Sequence, residues 1–195
     1  MSSLSLAGDT SGNITLAAPA VAGTNTLTLL AATATSSVNV LSTAVASTSG
    51  TSIDFTSLPS WVKRITVMFN GVSTSGTSNK QIRFTDSALK TSGYSSTSSL
   101  IYGANLCAVA SATTGFVIRS DLAAEALDGC YVFNLLNAST FIWAGFGNVS
   151  DSPSTRSWQQ SGAVTMASAL TAVRITTVNG TDTFDAGTIN ILYEG

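Results

Sequence analysis

Apolar residues recur at every second position in this chain, in short strings that turn-forming residues cut off. Ile65, Val67 and Phe69 alternate with Thr66 and Met68, and Ile189, Ile191 and Tyr193 share one face near the end. A period of two belongs to a half-buried β-strand, whereas an amphipathic helix repeats near 3.6 residues. The chain is therefore expected to be all-β. Ile53 and Phe55 begin a strand that Leu58-Pro59 ends, and further strands are predicted over 81–85, 115–119, 130–136, 141–146, 163–166, 172–178 and 188–193. Asn70-Gly71 and Asn179-Gly180 supply the positive φ angles that tight hairpins favour. Residues 120–127 are expected to form two helical turns, with Ser120 as cap, Leu122 and Leu127 inward and Glu125 outward.

Charge narrows the function. Charged residues make up 9% of the chain, where an ordinary domain carries roughly a quarter. Polarity comes instead from 30 Ser and 28 Thr. With 8 basic and 10 acidic residues the net charge is -2, which gives no electrostatic footprint for a phosphate backbone or an anionic membrane. There is no histidine, so Ser-His-Asp and Cys-His activation and the commonest zinc ligand are absent together. Cys107 and Cys130 can form one disulfide or remain thiols, and no other soft ligand accompanies them. Ser, Thr, Asn or Gly interrupts each apolar run well before the ~18 residues of a membrane helix. No Lys or Arg precedes Lys63, so export through a secretory signal is not expected.

Composition divides the chain near Gly50. Asp9 is the one charge before Asp54, and no aromatic residue precedes Phe55. The first part repeats short strings: Leu4-Ser5-Leu6, Ile14-Thr15-Leu16, Leu27-Thr28-Leu29 and Val38-Asn39-Val40. Turn formers such as Gly8, Asp9, Gly12, Pro19 and Gly23 lie between them. Ala, Thr, Leu and Ser alone bury too little area to offset an ordering cost of ~1 to 2 kcal/mol per residue. Closure of the strand edges by identical neighbours would supply the missing burial. Residues 1–50 are thus expected to form an intertwined oligomeric stalk; a disordered Ser/Thr/Ala linker is the alternative. Residues 51–195 contain all 8 Phe, 3 Trp and 4 Tyr, enough ring mass to fill one two-sheet sandwich.

The string Gly12-Asn13-Ile14-Thr15-Leu16-Ala17-Ala18-Pro19, followed by Ala22-Gly23-Thr24-Asn25-Thr26-Leu27-Thr28-Leu29, resembles the strand-turn repeats of bacteriophage tail-fibre and capsid-fibre stalks. The closing run from Asn179 to Glu194 resembles the end of a phage fibre head domain. The resemblance covers both ends and leaves out Gly71 to Ala163. It implies a homotrimer on the virion surface, with an N-terminal segment docked to other virion proteins. A jelly-roll-like β-sandwich head would then contact the host through its loops.

Among the aspartates only Asp182 and Asp185 are close in sequence, beside an Asn-Gly turn where Asp bonds backbone N–H groups. That structural reading outweighs a glycosidase pair or a calcium loop. No catalytic residue, metal site or cofactor is assigned. Saccharide stacking needs an exposed ring beside amide or guanidinium donors. The stretch 151–162, expected to be a loop, offers Arg156, Trp158, Gln159 and Gln160 as glycan contacts. Trp143 reads as core, Trp61 as closing one end of the sandwich, and Tyr94 and Tyr102 as secondary surface candidates. A non-enzymatic virion fibre, spike or decoration protein is the leading expectation. A carbohydrate-binding receptor module is the second, and a polysaccharide-degrading spike the third.

Overall fold

The computed structural model describes residues 3–7, 13–17, 38–102, 106–123, 125–152 and 156–195. They divide into two compact units between Ser36 and Ser37. In the first, β1 (Ser3–Ala7) and β2 (Asn13–Ala17) pair antiparallel, with Leu4 opposite Leu16 and Leu6 opposite Ile14. Two of the repeated strings are thus partners in one antiparallel strand pair. The string Leu27-Thr28-Leu29 lies outside the described residues.

The second unit runs through β3 (Asn39–Leu41), β4 (Val45–Ala46), β5 (Ser52–Thr56), β6 (Arg64–Thr74), β7 (Lys80–Thr85), β8 (Tyr94–Tyr102), β9 (Leu106–Ala112) and β10 (Phe116–Ile118). It continues through β11 (Ala126–Asn137), β12 (Ile142–Ser152), β13 (Arg156–Thr165), β14 (Ala172–Thr177) and β15 (Phe184–Glu194). The boundary expected near Gly50 therefore lies earlier. Val40 pairs with Tyr193 and Asn39 with Glu194, so the fourth repeated string joins the second unit, as does Val45 opposite Ile189.

These strands form two antiparallel sheets. The smaller has the order β10-β7-β14-β5; the larger has the order β3-β15-β6-β11-β12-β13-β8-β9, with β4 also on β15. Alternation decides the core: Ile53, Phe55, Ile82, Phe84, Val173 and Ile175 face inward from the smaller sheet, and Ile65, Val67, Phe69, Ile189 and Ile191 from the larger. Each buried side chain of this size contributes roughly 1.5–3 kcal/mol. Rings bridge the sheets, with Phe84 4.9 Å from Phe133 and 5.7 Å from Trp143. Tyr131 and Phe133 stack at 4.4 Å. The rings fit because β12 offers bare backbone beneath them: a Cβ on Gly145 would lie 2.4 Å from the Phe133 ring.

Two sheets need their sides closed. On one side the backbone N–H groups of Val117 and Arg119 donate to the hydroxyls of Ser96 and Ser98 on β8, at 2.9 and 3.1 Å. Ser replaces an apolar residue on that inner face because it supplies acceptors for the other sheet's edge strand.

Three local expectations are corrected. Asn70-Gly71 makes no hairpin; it lies inside β6, where the pairing with β11 and β15 shifts register. Gly71 has φ 62° there, and its N–H donates to Asp128 Oδ1 at 2.7 Å, the signature of a bulge. Asn179-Gly180 does turn the chain, with Gly180 at φ 70°, but it passes from the smaller sheet to the larger instead of joining paired strands. The described residues of 120–127 contain no helix, and Glu125 is buried at 1% exposure. Its carboxylate takes the Asp121 N–H at 2.7 Å and pairs with Arg156 at 3.0 Å, so the segment bends inward.

Candidate functional site

The stretch expected to be a loop is instead the end of β12 and most of β13, which pair in register from Asp151–Arg156 to Ile142–Thr165. Alternation on β13 separates the predicted glycan contacts. Gln159 is exposed on the outer face, while Trp158 and Gln160 point into the sandwich at 0% and 3% exposure. Trp158 therefore offers no face to a sugar, which corrects the stacking assignment. Its indole N–H and the Gln160 amide have no hydrogen-bond partner among the described residues.

Arg156 is also turned toward that end of the core, where it meets Glu125 and Asp121. Its Nη1 lies 3.0 Å from Glu125 Oε1 and 3.8 Å from Asp121 Oδ2, and Arg119 Nε lies 2.8 Å from Asp121 Oδ1. The Arg119 guanidinium sits 5.7 Å from the Trp158 ring centroid. Four of the chain's 8 basic and 10 acidic residues thus meet at one end of the sandwich.

Lys80 reaches the same end from β7. Its Nζ donates to Ser120 Oγ at 3.0 Å, and Lys80 is 0% exposed. Burial lowers its pKa to about 8, against the opposing pull of Glu125, Asp185, Asp151 and Asp182. An amine so perturbed beside a hydroxyl is the arrangement in which Lys activates Ser as a nucleophile. Ser120 is only 3% exposed, however, so a substrate would reach the pair only if the sandwich opened. The cluster as it stands is a lock between β7, β13 and the 119–125 segment.

The other candidates resolve locally. Asp182 accepts from Asn179 Nδ2 at 2.6 Å and from the Ser78 N–H at 3.0 Å, and Asp185 accepts from Ser73. Asp182 serves the turn between the sheets, and Asp185 ties β15 to β6 within the larger one. Tyr94 is buried, with its hydroxyl accepting from the Phe84 N–H at 2.8 Å, and desolvation pushes its pKa up to about 12. It is thus no surface candidate, and the Tyr102 side chain lies outside the described residues. Trp143 is core; Trp61 covers one end, 5.8 Å from Tyr193. Among the described residues no group of His, Cys, Asp and Glu could hold a metal ion, and no helix is long and apolar enough to cross a membrane.

Hollows open on the surface of the described residues. A groove of about 660 Å³ between the β8-β9 end and Val178 is lined largely by hydroxyls, including Ser95, Thr97 and Thr113. A smaller one of about 380 Å³ lies on the outer face of the larger sheet around Phe146, Cys130, Val132, Asn148 and Gln159. Phe146 is 62% exposed there. The exposed ring beside amides expected at Trp158 thus stands one strand away, at Phe146. Only the alternation of β12 could have revealed it. No family model, no curated protein and no solved structure matches the chain.

Proposed function

We propose that the chain is a structural component of a bacteriophage virion: a short trimeric fibre, spike or decoration protein, attached through its first unit and displaying the sandwich. The observation that carries this reading is the pairing of Leu4-Ser5-Leu6 with Ile14-Thr15-Leu16 in a unit of its own, ahead of an all-β unit. Five-residue strands of Ser, Leu, Ala, Asn, Ile and Thr have little apolar area. A lone two-stranded sheet is marginal in water. Sister chains wound about one axis would close the edges and supply the burial. The resemblance of the same strings to fibre stalks points the same way. So does the scarcity of charge, since many copies held close together accumulate little repulsion.

Native mass determination of the full chain is the direct test. A trimer is expected, and a stable monomer overturns the oligomeric reading. Peptide mass spectrometry of purified particles of the encoding virus should find the chain in many copies; its absence overturns the virion role. A truncation starting at Ser37 keeps β3 and β4 with the sandwich, so it should fold yet fail to attach to particles.

A further inference from the structure

The two sheets present very different outer faces. On the smaller one, Asp54, Arg174 and Arg83 occupy one register row, with Arg174 bound to Asp54 through two hydrogen bonds of 2.6 and 2.9 Å. That is the composition of a surface facing water. On the larger sheet, one central row runs from Leu41 through Leu192, Thr66, Val132 and Phe146 to Ser161. The next row carries Met68, Cys130, Asn148, Gln159 and Val109. Neither row contains a charge. The charges of this face stand at its margins, with Arg64 and Glu194 paired at 3.3 Å at one end and Asp128 engaged by Gly71 at the other.

Within those rows Leu41, Phe146 and Val109 are 64%, 62% and 56% exposed, although most large apolar side chains of the unit are buried. We infer that this face is where copies of the chain meet. The inference rests on the oligomeric part of the reading above and adds the surface that makes the contact in the head. Three features favour a second copy over a different partner. A face without charge can meet its own likeness without repulsion, which a one-signed patch cannot. Its polar members are hydroxyls and amides, which both donate and accept, so identical faces can hydrogen-bond to each other. Two rows about 7 Å apart across a sheet roughly 40 Å wide cover on the order of 500 Å². That is more than half of the about 800 Å² each partner gives to a standard interface. The hollow beside Phe146 leaves room for an apolar side chain from the facing copy.

The test compares the full chain with Phe146→Lys and Val109→Lys by sedimentation equilibrium, with Thr56→Lys on the smaller sheet's outer face as control. Near-ultraviolet circular dichroism checks that each variant keeps its core. The expected result is an oligomeric wild type, about a tenfold or greater weakening of association in both larger-sheet variants, and no change in the control. A wild-type oligomer that both variants leave intact overturns the assigned face while sparing the oligomeric reading. A monomeric wild type overturns both. A monomer that binds a neutral saccharide array through Phe146 reassigns the face to a sugar and likewise overturns the inference.

Discussion

Lys80 Nζ donates to Ser120 Oγ at 3.0 Å, and neither residue is more than 3% exposed. One hydroxyl satisfies one of three ammonium donors, so most of the desolvation cost stands. Burial accordingly brings the Lys80 pKa from 10.5 to about 8. Between those two values the unfolded chain binds more protons than the folded one, so stability rises with pH through that window. Below pH 8 both states hold the proton and the penalty is present in full. Urea midpoints should therefore show a gain of about 2 kcal/mol from pH 7.5 to pH 9.5. Above pH 10 the trend reverses, because Tyr94 keeps its proton to about 12 while the unfolded tyrosine releases it earlier. Lys80→Met should flatten the rise; a wild-type curve already flat contradicts the assignment.

Glu125 is the carboxylate that supports Lys80 most, and it also holds Arg156 at 3.0 Å. Removing one member of a buried pair costs about 3–5 kcal/mol, and Arg156 keeps Asp121 at 3.8 Å. The Arg156 side chain is 22% exposed, which places Glu125→Gln near the lower end, about 3 kcal/mol. A fall in melting temperature of roughly 10 °C is expected for a chain of this size. Calorimetry that finds less than about a third of that fall would reduce the cluster to an exposed ion pair.

This cluster marks where the sequence stops being legible. Ile65, Val67 and Phe69 announce their strand because one face is apolar throughout. The inner face of β13 is Trp158, Gln160, Gly162 and Val164, and that of β8 is Tyr94, Ser96, Ser98 and Leu100. Neither alternates in hydropathy, since a glycine makes room for a ring and serines accept from β10. Both strands therefore look like loops when read alone. Glu125 looks like the outer face of a helix because its partner stands 31 positions away. Local patterning identifies strands that bury oil; it cannot identify those that bury hydrogen bonds formed across the fold.

Gly187 and Gly180 both have positive φ, 92° and 70°, but only Gly187 is crowded: a Cβ there would lie 2.4 Å from the Gly71 carbonyl oxygen, while nothing lies within 4 Å of one on Gly180. Gly180→Ala should cost about 1–2 kcal/mol from the left-handed backbone alone. Gly187→Ala adds the displacement of β6 from β15 at its bulge, so its cost should exceed that of Gly180→Ala by about 1–3 kcal/mol. Equal denaturation midpoints for the two variants would show that the bulge can relax freely.

Cys107 lies on β9 and Cys130 on β11, with β8, β13 and β12 between them. Four strand spacings of about 4.8 Å put their backbones roughly 19 Å apart, against the ~7 Å limit for a disulfide. The intact mass of the unreduced protein should retain both thiol hydrogens, and reductant should leave the melting temperature unchanged. Loss of two hydrogens from a single chain would contradict the strand order.

Trp143 and Trp158 are 1% and 0% exposed, whereas Trp61 is 39% exposed over Tyr193. Iodide cannot enter a close-packed core, so it should quench one component of the tryptophan emission, and Trp61→Phe should remove that component. Trp158→Ala, by contrast, should cost about 3–5 kcal/mol as a core truncation. It would also take away the ring beneath the Arg119 guanidinium. If a sugar-contact loop were present instead of β13, Trp158→Ala would leave stability unchanged and iodide would reach a second indole. Quenching and denaturation measured on the same two variants therefore decide between a core strand and an exposed loop.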